Sequence, residues 1–229
     1  METTSLPRLL AVVFDFDGLI LDTETPLFEA WQEAYRRKGY ELRLSDWQHA
    51  LGTHGGFDPV SHLRGLLGDG VGIAVVEQEV RARYRARCDT LPLLPGVREI
   101  LTDARAAGLG TAVASSSTRG WVESWIERHG IRPLFDAVCG RNDVARVKPA
   151  PDLFLLAAER LGVPPARCVV FEDSPNGMRA ARSAGMRCVA VPNPLTRELP
   201  LPDPDLVVDS AADLPLAEIA RRLGFRLAA

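Results

Sequence analysis

Six short apolar runs recur along the chain, and segments with helical periodicity separate them. The runs are Leu9–Phe14, Leu109–Ala114, Ala137–Cys139, Cys168–Phe171, Cys188–Val191 and Leu206–Val208. Unbroken apolar runs of this length are typical of strands that are buried on both faces of a parallel sheet. Because helical segments alternate with them, the pattern predicts an α/β fold with a doubly wound, Rossmann-like parallel sheet.

Two of the intervening helices begin at recognisable capping signals. Asp152 is predicted to be the N-cap of a helix that ends at Leu161. Ser174 and Pro175 are predicted to be the N-cap and first residue of a helix that stops at Gly185.

The alternation stops between residues 23 and 91. One apolar stripe at helical spacing runs from Leu27 to Tyr35 and another from Val76 to Tyr84, with no convincing strand nearby. We therefore predict a catalytic core formed by residues 1–22 and 92–229, with an α-helical cap inserted over residues 23–91. An insert at the carboxyl end of a strand is expected to cover the edge where open α/β sheets bind ligands.

Charge and hydropathy exclude several classes of function. The net charge is −3 at pH 7, which disfavours nucleic acid as a partner. No apolar run is long enough to cross a bilayer, and no charged segment precedes a signal-like core, so we expect a cytoplasmic protein with no membrane partner. We also expect a monomer.

The four cysteines show no CxxC spacing, which indicates that they are small buried hydrophobic residues and not zinc ligands.

Two acidic pairs follow predicted strands. Asp15 and Asp17 follow the first strand, and Glu172 and Asp173 follow the run that ends at Phe171. Parallel strands end at one edge of a sheet, so the two pairs are expected to converge. Clustered carboxylates repel one another unless their pKa values rise or a hard cation binds them. Oxygen ligands favour Mg²⁺ over zinc or copper.

Two further segments supply groups that bind anions. Ser115–Thr118 follows the second strand, and its hydroxyl and backbone N–H groups before a helix are suited to a phosphate. Lys148 lies in a turn before another helix and is one of only two lysines, with Lys38. Its compact positive charge is predicted to contact the same phosphate.

Each of these signals also has a plainer interpretation. Asp17 could cap the next turn, Ser115–Thr118 could be an ordinary N-cap, and Lys148 could be a solvated surface charge. The proline-rich segment 192–204 is predicted to be a surface loop. A second DxD pair, Asp203 and Asp205, lies at its end, and we assign no function to that pair. Only the joint occurrence of acidic and anion-binding groups at successive strand ends favours an active site.

Four motifs together resemble the haloacid dehalogenase superfamily, and most closely its phosphatases grouped with β-phosphoglucomutase. They are DFDGLILDTE at 15–24, VASSS at 113–117, VKPAPD at 147–152 and FEDSPNG at 171–177. The motifs follow the family order and extend over most of the predicted core. The resemblance implies a small helical cap and phosphoryl transfer through a covalent aspartyl-phosphate.

The resemblance implies a role for each matching residue. Asp15 would be the nucleophile and a Mg²⁺ ligand, and Asp17 the general acid and base. The phosphoryl oxygens would be held by Ser115, the Ser116 amide and Lys148. The remaining metal ligands would be the Asp17 backbone carbonyl, Asp173 and Glu172, the last directly or through water.

These roles predict a magnesium-dependent phosphatase for a small phosphorylated metabolite, such as a sugar phosphate. The alternative is a β-phosphoglucomutase-type isomerase. In that enzyme a histidine after the first motif assists catalysis and a cap arginine holds a second phosphate. The matching positions here are Leu27 and the loop Gly52–Phe57, which contains no arginine. Both departures favour hydrolysis. A module that only binds phosphometabolites is a third hypothesis, and Asp17 disfavours it because binding does not need a second aspartate.

Within the cap, His54 is predicted to bind substrate because it lies in a glycine-rich loop that could reach the site. An exposed loop histidine without function is the open alternative. Four arginines of one predicted helix, at 81, 83, 85 and 87, are predicted to lie on solvated faces, because alternate helical positions point in different directions.

Overall fold

The structure, a computed structural model, describes residues 6–68 and 72–228 and shows a parallel sheet flanked by helices. Residues 1–5, 69–71 and 229, which the predicted domain ranges include, lie outside the described residues. The strands are β1 (Ala11–Phe14), β2 (Gly110–Ala114), β3 (Ala137–Cys139), β4 (Cys168–Glu172), β5 (Arg187–Ala190) and β6 (Leu206–Val207). Each of the six predicted strands is confirmed, with ends that differ by at most two residues.

The strand order is β3-β2-β1-β4-β5-β6, and every neighbouring pair is parallel. The chain first adds strands on one side of β1 and then crosses to the other side, so the winding reverses between β1 and β4. Phe14 lies level with Val113 and Phe171. The residues that follow these three central strands therefore emerge together at the switch point where open α/β sheets bind ligands.

Four helices lie between β1 and the rest of the sheet. They are α1 (Glu24–Arg37), α2 (Leu44–Trp47), α3 (Pro59–Leu67) and α4 (Ile73–Cys88). Most of their apolar residues form a cluster around Trp31, Tyr35 and Leu63, which is distinct from the two core clusters on the sheet and also includes Leu195 from the loop after β5. We call these helices and their loops the cap, and the boundaries at residues 23 and 91 remain a proposal.

Five further helices cover both faces of the sheet. They are α5 (Val97–Ala106), α6 (Arg119–Arg128), α7 (Asp152–Leu161), α8 (Pro175–Ser183) and α9 (Leu216–Arg222). Side chains of β1 alternate between the two faces: Val12 and Phe14 belong to the cluster with α5, α6 and α9, and Ala11 and Val13 to the cluster with α7 and α8. Burial on both faces explains why the strands are continuously apolar.

One of the two capping predictions is confirmed and the other is wrong. The Ser174 hydroxyl accepts a hydrogen bond of 3.1 Å from the Gly177 N–H at the start of α8. Asp152 is the first residue of α7 and not its N-cap, and its carboxylate accepts hydrogen bonds from Arg146 instead. A carboxylate in the first turn still interacts favourably with the helix dipole, which explains the misleading signal.

Two other observations concern the cysteines and the apolar composition of the helices. All four cysteines are free and buried, as predicted. Within residues 6–68 and 72–228, none of the helices has both the length and the apolar composition that a membrane crossing requires.

Candidate active site

Asp15 directly follows β1 and is buried between Lys148 and β4. Its N–H donates to the Phe171 carbonyl at 3.0 Å, which fixes it relative to β4. Lys148 Nζ donates to Asp15 Oδ1 and, at 2.7 Å, to Glu172 Oε1. The side chains of Lys148 and Glu172 are fully buried. Lys148 is therefore a doubly paired internal cation, and the interpretation as a solvated surface charge is wrong.

Burial and mutual repulsion disturb the titration of this cluster. Burial raises the pKa of Asp15 to about 7, with Glu172 adding to the effect and Lys148 opposing it. Burial, followed by the charges of Glu172 and Asp15, raises the pKa of Asp173 well above its usual value. Burial alone would lower the pKa of Lys148, but the two neighbouring carboxylates outweigh it and raise that pKa. Lys148 is therefore protonated, and one ammonium does not neutralise all the carboxylates.

Three carboxylates converge at this point. The ligand atoms of Asp15, Glu172 and Asp173 lie within 4.8 Å of one another. Asp173 Oδ1 is buried and has no hydrogen-bond partner among the residues that the structure describes. With all three carboxylates ionised and Lys148 protonated, two negative charges remain uncompensated. The donor set is all oxygen, so these residues fit a hard divalent cation.

Glu172 has structural partners in addition to this cluster. Its Oε2 accepts hydrogen bonds from the Ser174 N–H at 2.8 Å and the Ser174 hydroxyl at 3.0 Å, while Oε1 accepts from Lys148. Both oxygens therefore already have donors, whereas Asp173 presents an oxygen without one. This difference explains why Asp173 is the stronger candidate for a direct metal ligand.

Asp17 accepts four side-chain hydrogen bonds. Its Oδ1 accepts from the Thr23 hydroxyl at 2.7 Å and the Trp121 indole at 3.0 Å, and its Oδ2 from the Ser117 hydroxyl at 2.7 Å and the Ser115 hydroxyl at 3.2 Å. Asp17 therefore does more than cap a turn. Ser117 could have been identified from sequence, because residues two apart in extended chain point the same way. Trp121 carries no such signal.

Ser115 and Ser116 offer different groups to a ligand. The Ser115 N–H is bonded to the Cys139 carbonyl at 3.0 Å, and its hydroxyl contacts Asp17. In the described part of the chain, the Ser116 N–H has no hydrogen-bond partner. The Ser115 hydroxyl also accepts a hydrogen bond of 2.9 Å from the Ser117 N–H, so of these two residues Ser116 presents a backbone N–H without a partner, whereas the Ser115 hydroxyl is held in place by its neighbours.

A loop of the cap, residues 51–57, docks on the core beside these groups; we call it the cap loop. The Thr53 hydroxyl donates to the Lys148 carbonyl at 2.6 Å, and the Ser116 hydroxyl donates to the Gly52 carbonyl at 3.1 Å. Gly52 has a φ of +67°, and a Cβ there would lie 2.0 Å from the Ser174 hydroxyl oxygen. The close approach of loop and core therefore depends on glycine at this position.

Comparison with known proteins assigns this arrangement to a family. The family of haloacid dehalogenase-like hydrolases matches residues 9–185. The chain belongs to the haloacid dehalogenase-like hydrolases. The predicted family, the α/β core with a helical cap and the assignment as a hydrolase are confirmed.

Individual relatives match this hydrolase over nearly their whole length. YhcW of Bacillus subtilis is 42% identical over 207 residues, which are 90% of this chain and 94% of YhcW. Hexitol phosphatase B of Escherichia coli is 34% identical over 222 residues, which are 94% of this chain and 95% of the relative. A crystal structure of a CbbY variant from Rhodobacter sphaeroides, in complex with xylulose-1,5-bisphosphate, has a TM-score of 0.72 at 30% identity and covers 90% of this chain and 96% of that one.

Cap and core of the hydrolase enclose a cavity of about 560 Å³. Asp15, Asp17, His54 and Phe57 are among its lining residues. Arg141 Nη1 lies 2.9 Å from both ring nitrogens of His54, so the cap loop also meets the core at this point. His54 thus lies where the sequence predicted. Arg141 was not predicted, because only the fold brings its loop to the site. The volume suits a small metabolite.

The arginines of α4 point in two directions, as their spacing predicted. Arg83 and Arg87 form ion pairs with Glu33 of α1, at 3.1 Å and 3.7 Å. Arg81 and Arg85, one turn apart, are largely exposed and line the cavity of the hydrolase. Arg81 also forms an ion pair with Glu77, four residues earlier in α4, whereas Arg85 has no ion pair within the described residues. The motifs did not indicate that these guanidinium groups line the cavity.

Two residues of α1 complete the cavity wall. Leu27 lines it, so the hydrolase presents an aliphatic side chain at the position where the mutase resemblance would require an imidazole. Glu24 also lines the cavity. Burial raises the pKa of Glu24, and the negative charge of Asp17 adds to this effect. Glu24 belongs to the first motif, yet its chemistry was not predicted.

Proposed function

We propose that this hydrolase is a magnesium-dependent phosphatase that acts on a small phosphorylated metabolite, such as a sugar phosphate. The observation that carries the proposal is the buried Asp15, bonded to Lys148 and adjacent to the uncompensated carboxylates. The names of two relatives support the substrate class, because one is a hexitol phosphatase and the other was crystallised with a sugar bisphosphate.

In the first step, a carboxylate oxygen of Asp15 attacks phosphorus and the bond from phosphorus to the ester oxygen breaks. Asp17 donates its proton to the departing oxygen, so an alcohol and an aspartyl-phosphate result. Lys148, the Ser115 hydroxyl and the Ser116 N–H hold the phosphoryl oxygens and offset their charge. This step requires Asp17 to arrive protonated, and its four donors fix the position from which it acts.

In the second step, water attacks the phosphorus of the aspartyl-phosphate. Asp17 accepts the proton of that water, the bond between phosphorus and the Asp15 oxygen breaks, and inorganic phosphate leaves. Asp15 and Asp17 then return to their starting protonation states. Two small barriers replace one very large one, since uncatalysed monoester hydrolysis is among the slowest reactions in biology.

Asp15, Asp173, the Asp17 carbonyl and Glu172 would hold Mg²⁺, with Glu172 acting directly or through water. When bound, the ion supplies positive charge next to the transferring phosphoryl group. We further propose that His54 contacts the part of the substrate that remains after phosphate leaves. Its position in the cavity wall and its contact with Arg141 support this role.

A phosphate-release screen tests the proposal. Purified protein would be assayed on phosphorylated sugars, polyols and nucleotides with Mg²⁺ and with EDTA. We expect release that needs Mg²⁺ and that Asp15→Asn abolishes. Asp203→Asn is the matched control, because Asp203 belongs to the other DxD pair, is exposed and pairs only with Arg182 among the described residues. Wild-type rates in Asp15→Asn or in EDTA would contradict the proposal.

The isomerase alternative is tested with β-glucose 1-phosphate and a bisphosphate primer. We expect inorganic phosphate and no glucose 6-phosphate. Glucose 6-phosphate forming faster than phosphate is released would replace the phosphatase proposal with the isomerase. Tight binding of several phosphorylated compounds without any turnover in Mg²⁺ would replace it with the binding module.

A further inference from the structure

Asn193, in the loop after β5, contacts the loops that carry both acidic pairs. Its Nδ2 donates to Asp173 Oδ2 at 2.7 Å and to the Gly18 carbonyl at 3.3 Å. Gly18 follows Asp17, whose carbonyl is a proposed metal ligand. Asn193 is only 6% exposed, although it lies in the segment predicted to be a surface loop. One buried side chain therefore connects the two loops of the proposed metal site.

The orientation of the Asn193 amide is fixed by its own turn. Its Oδ1 accepts hydrogen bonds from the N–H groups of Leu195 and Thr196, at 2.9 Å and 3.0 Å. Backbone N–H groups only donate, so the side-chain oxygen must face the turn. The NH₂ group then has to face Asp173. The bond to Asp173 is thus imposed by the local backbone and does not depend on how the amide is assigned.

This bond leaves the two oxygens of Asp173 in different states. Oδ2 is occupied by Asn193, whereas Oδ1 is the buried oxygen without a partner. We infer that Asn193 is a positioning residue: it holds Asp173 so that Oδ1 is presented to the cation, an inference that rests on the proposed function. Groups that orient ligands in this way commonly affect metal affinity by about 10- to 100-fold.

Gly18 shows how closely these groups pack. It has a φ of +89°, and a Cβ there would lie 2.5 Å from Asn193 Nδ2 and 2.6 Å from Asp173 Oδ2. No side chain fits between the first acidic motif and this hydrogen bond. The glycine of the first motif therefore leaves room for the bond between Asn193 and Asp173.

Asn193 could instead only stabilise the turn, and that role makes a different prediction. A variant of Thr196 distinguishes the turn-stabilising role from the positioning role. The Thr196 hydroxyl is buried and accepts the Asn193 N–H at 3.0 Å, so it stabilises the same turn. It has no hydrogen bond to Asp173. Thr196→Val removes one hydrogen bond of the turn but keeps the two backbone N–H groups that orient the Asn193 amide, so the orientation of Asp173 should be preserved. Asn193→Ser keeps an oxygen that can accept from the turn, but its side chain is too short to reach Asp173.

The experiment is calorimetric titration of the full chain with Mg²⁺, for the wild type, Asn193→Ser, Asn193→Ala and Thr196→Val. We expect the Kd for Mg²⁺ to rise at least about tenfold in both Asn193 variants and to change less than about threefold in Thr196→Val. Melting temperatures in EDTA check folding. The Mg²⁺ concentration for half-maximal phosphate release should rise in the same variants, with a smaller change in kcat at saturating Mg²⁺.

The possible outcomes separate this inference from the proposed function. Wild-type Mg²⁺ affinity in a folded Asn193→Ser or Asn193→Ala protein would overturn the inference and leave the phosphatase proposal intact. Equal weakening in Thr196→Val, or failure of both Asn193 variants to fold in EDTA, would also overturn it in favour of a role in the turn. A wild type that binds no Mg²⁺ would contradict both.

Discussion

The indole N–H of Trp121, on the core helix α6, donates a hydrogen bond of 3.0 Å to Asp17 Oδ1. Tyr84 of the cap helix α4 stacks on the same indole, with ring centroids 5.9 Å apart. One aromatic pair therefore connects the cap to the proposed acid and base. The position of Asp17 depends on packing between cap and core as well as on the loop that follows β1.

Trp121→Phe should lower kcat by about tenfold. The change keeps an aromatic ring against Tyr84 but removes one of the four donors that position Asp17, and a hydrogen bond contributes about 0.5–1.5 kcal/mol. The upper end of this range corresponds to about a tenfold change in rate. Steady-state phosphate release measures the effect. Trp125→Phe is the control, because the Trp125 indole N–H is buried without a partner in the described residues. Equal losses in both variants would assign the effect to packing.

Lys148→Met should abolish activity and lower the free energy of unfolding by about 3–5 kcal/mol, because it leaves two buried carboxylates without their cation. Denaturant unfolding in EDTA measures the stability. Lys38→Met is the matched control: Lys38 is the other lysine and is exposed at the end of α1. It should change the free energy by less than about 0.5 kcal/mol. Wild-type stability in Lys148→Met would mean that the ion pairs stabilise nothing.

The sequence predicted which residues meet at the strand ends, for a physical reason. Asp15 and Lys148 are 133 residues apart. Asp15 follows β1 and Lys148 precedes α7, and the alternation of strands and helices determines where both elements lie. Because the strands are parallel, their carboxyl ends lie at one edge of the sheet, and this can be predicted without knowing any side-chain contact. Asp15, Lys148 and Glu172 could therefore be expected to meet before any contact was known.

The remaining groups could not be predicted, because their roles depend on side-chain direction. Asn193 and Thr196 lie in a proline-rich segment, and composition indicated a surface loop; the structure shows that prediction to be wrong at the start of the segment, where both are buried. Trp121 lies on a helix and Arg141 in a loop, and the periodicity of the sequence does not indicate that either side chain points towards the site. Their spacing from the motifs carries no chemical signal.

Asp136 should make stability depend on acid pH. Burial acts against ionisation, but the Thr111 N–H and Arg105 outweigh it and lower the pKa of Asp136. A carboxylate whose folded pKa is depressed stabilises the protein above its unfolded pKa of about 4, and this contribution is lost as pH falls through the folded value. Asp136→Asn should therefore lower the melting temperature in EDTA by about 2–4 °C at pH 7, and the difference should shrink towards pH 3.

The control for this pH dependence is Asp103→Asn. Asp103 is exposed on α5 and has no ion pair within the described residues. Its melting temperature should follow that of the wild type at every pH. A difference between Asp136→Asn and the wild type that stays constant from pH 7 to pH 3 would contradict the assignment.

Gly52→Ala should raise KM and lower kcat/KM by at least about tenfold, because the new Cβ would lie 2.0 Å from the Ser174 hydroxyl oxygen and prevent the cap loop from docking. Alanine at positive φ is strained anywhere, by about 1–2 kcal/mol. Gly55→Ala separates the two effects: Gly55 has a φ of +88°, and a Cβ there meets nothing within 4 Å. Both variants carry the backbone strain, and only Gly52→Ala carries the clash. Steady-state kinetics should therefore show a much smaller loss for Gly55→Ala, and equal losses would mean that loop conformation, and not contact with the core, controls turnover.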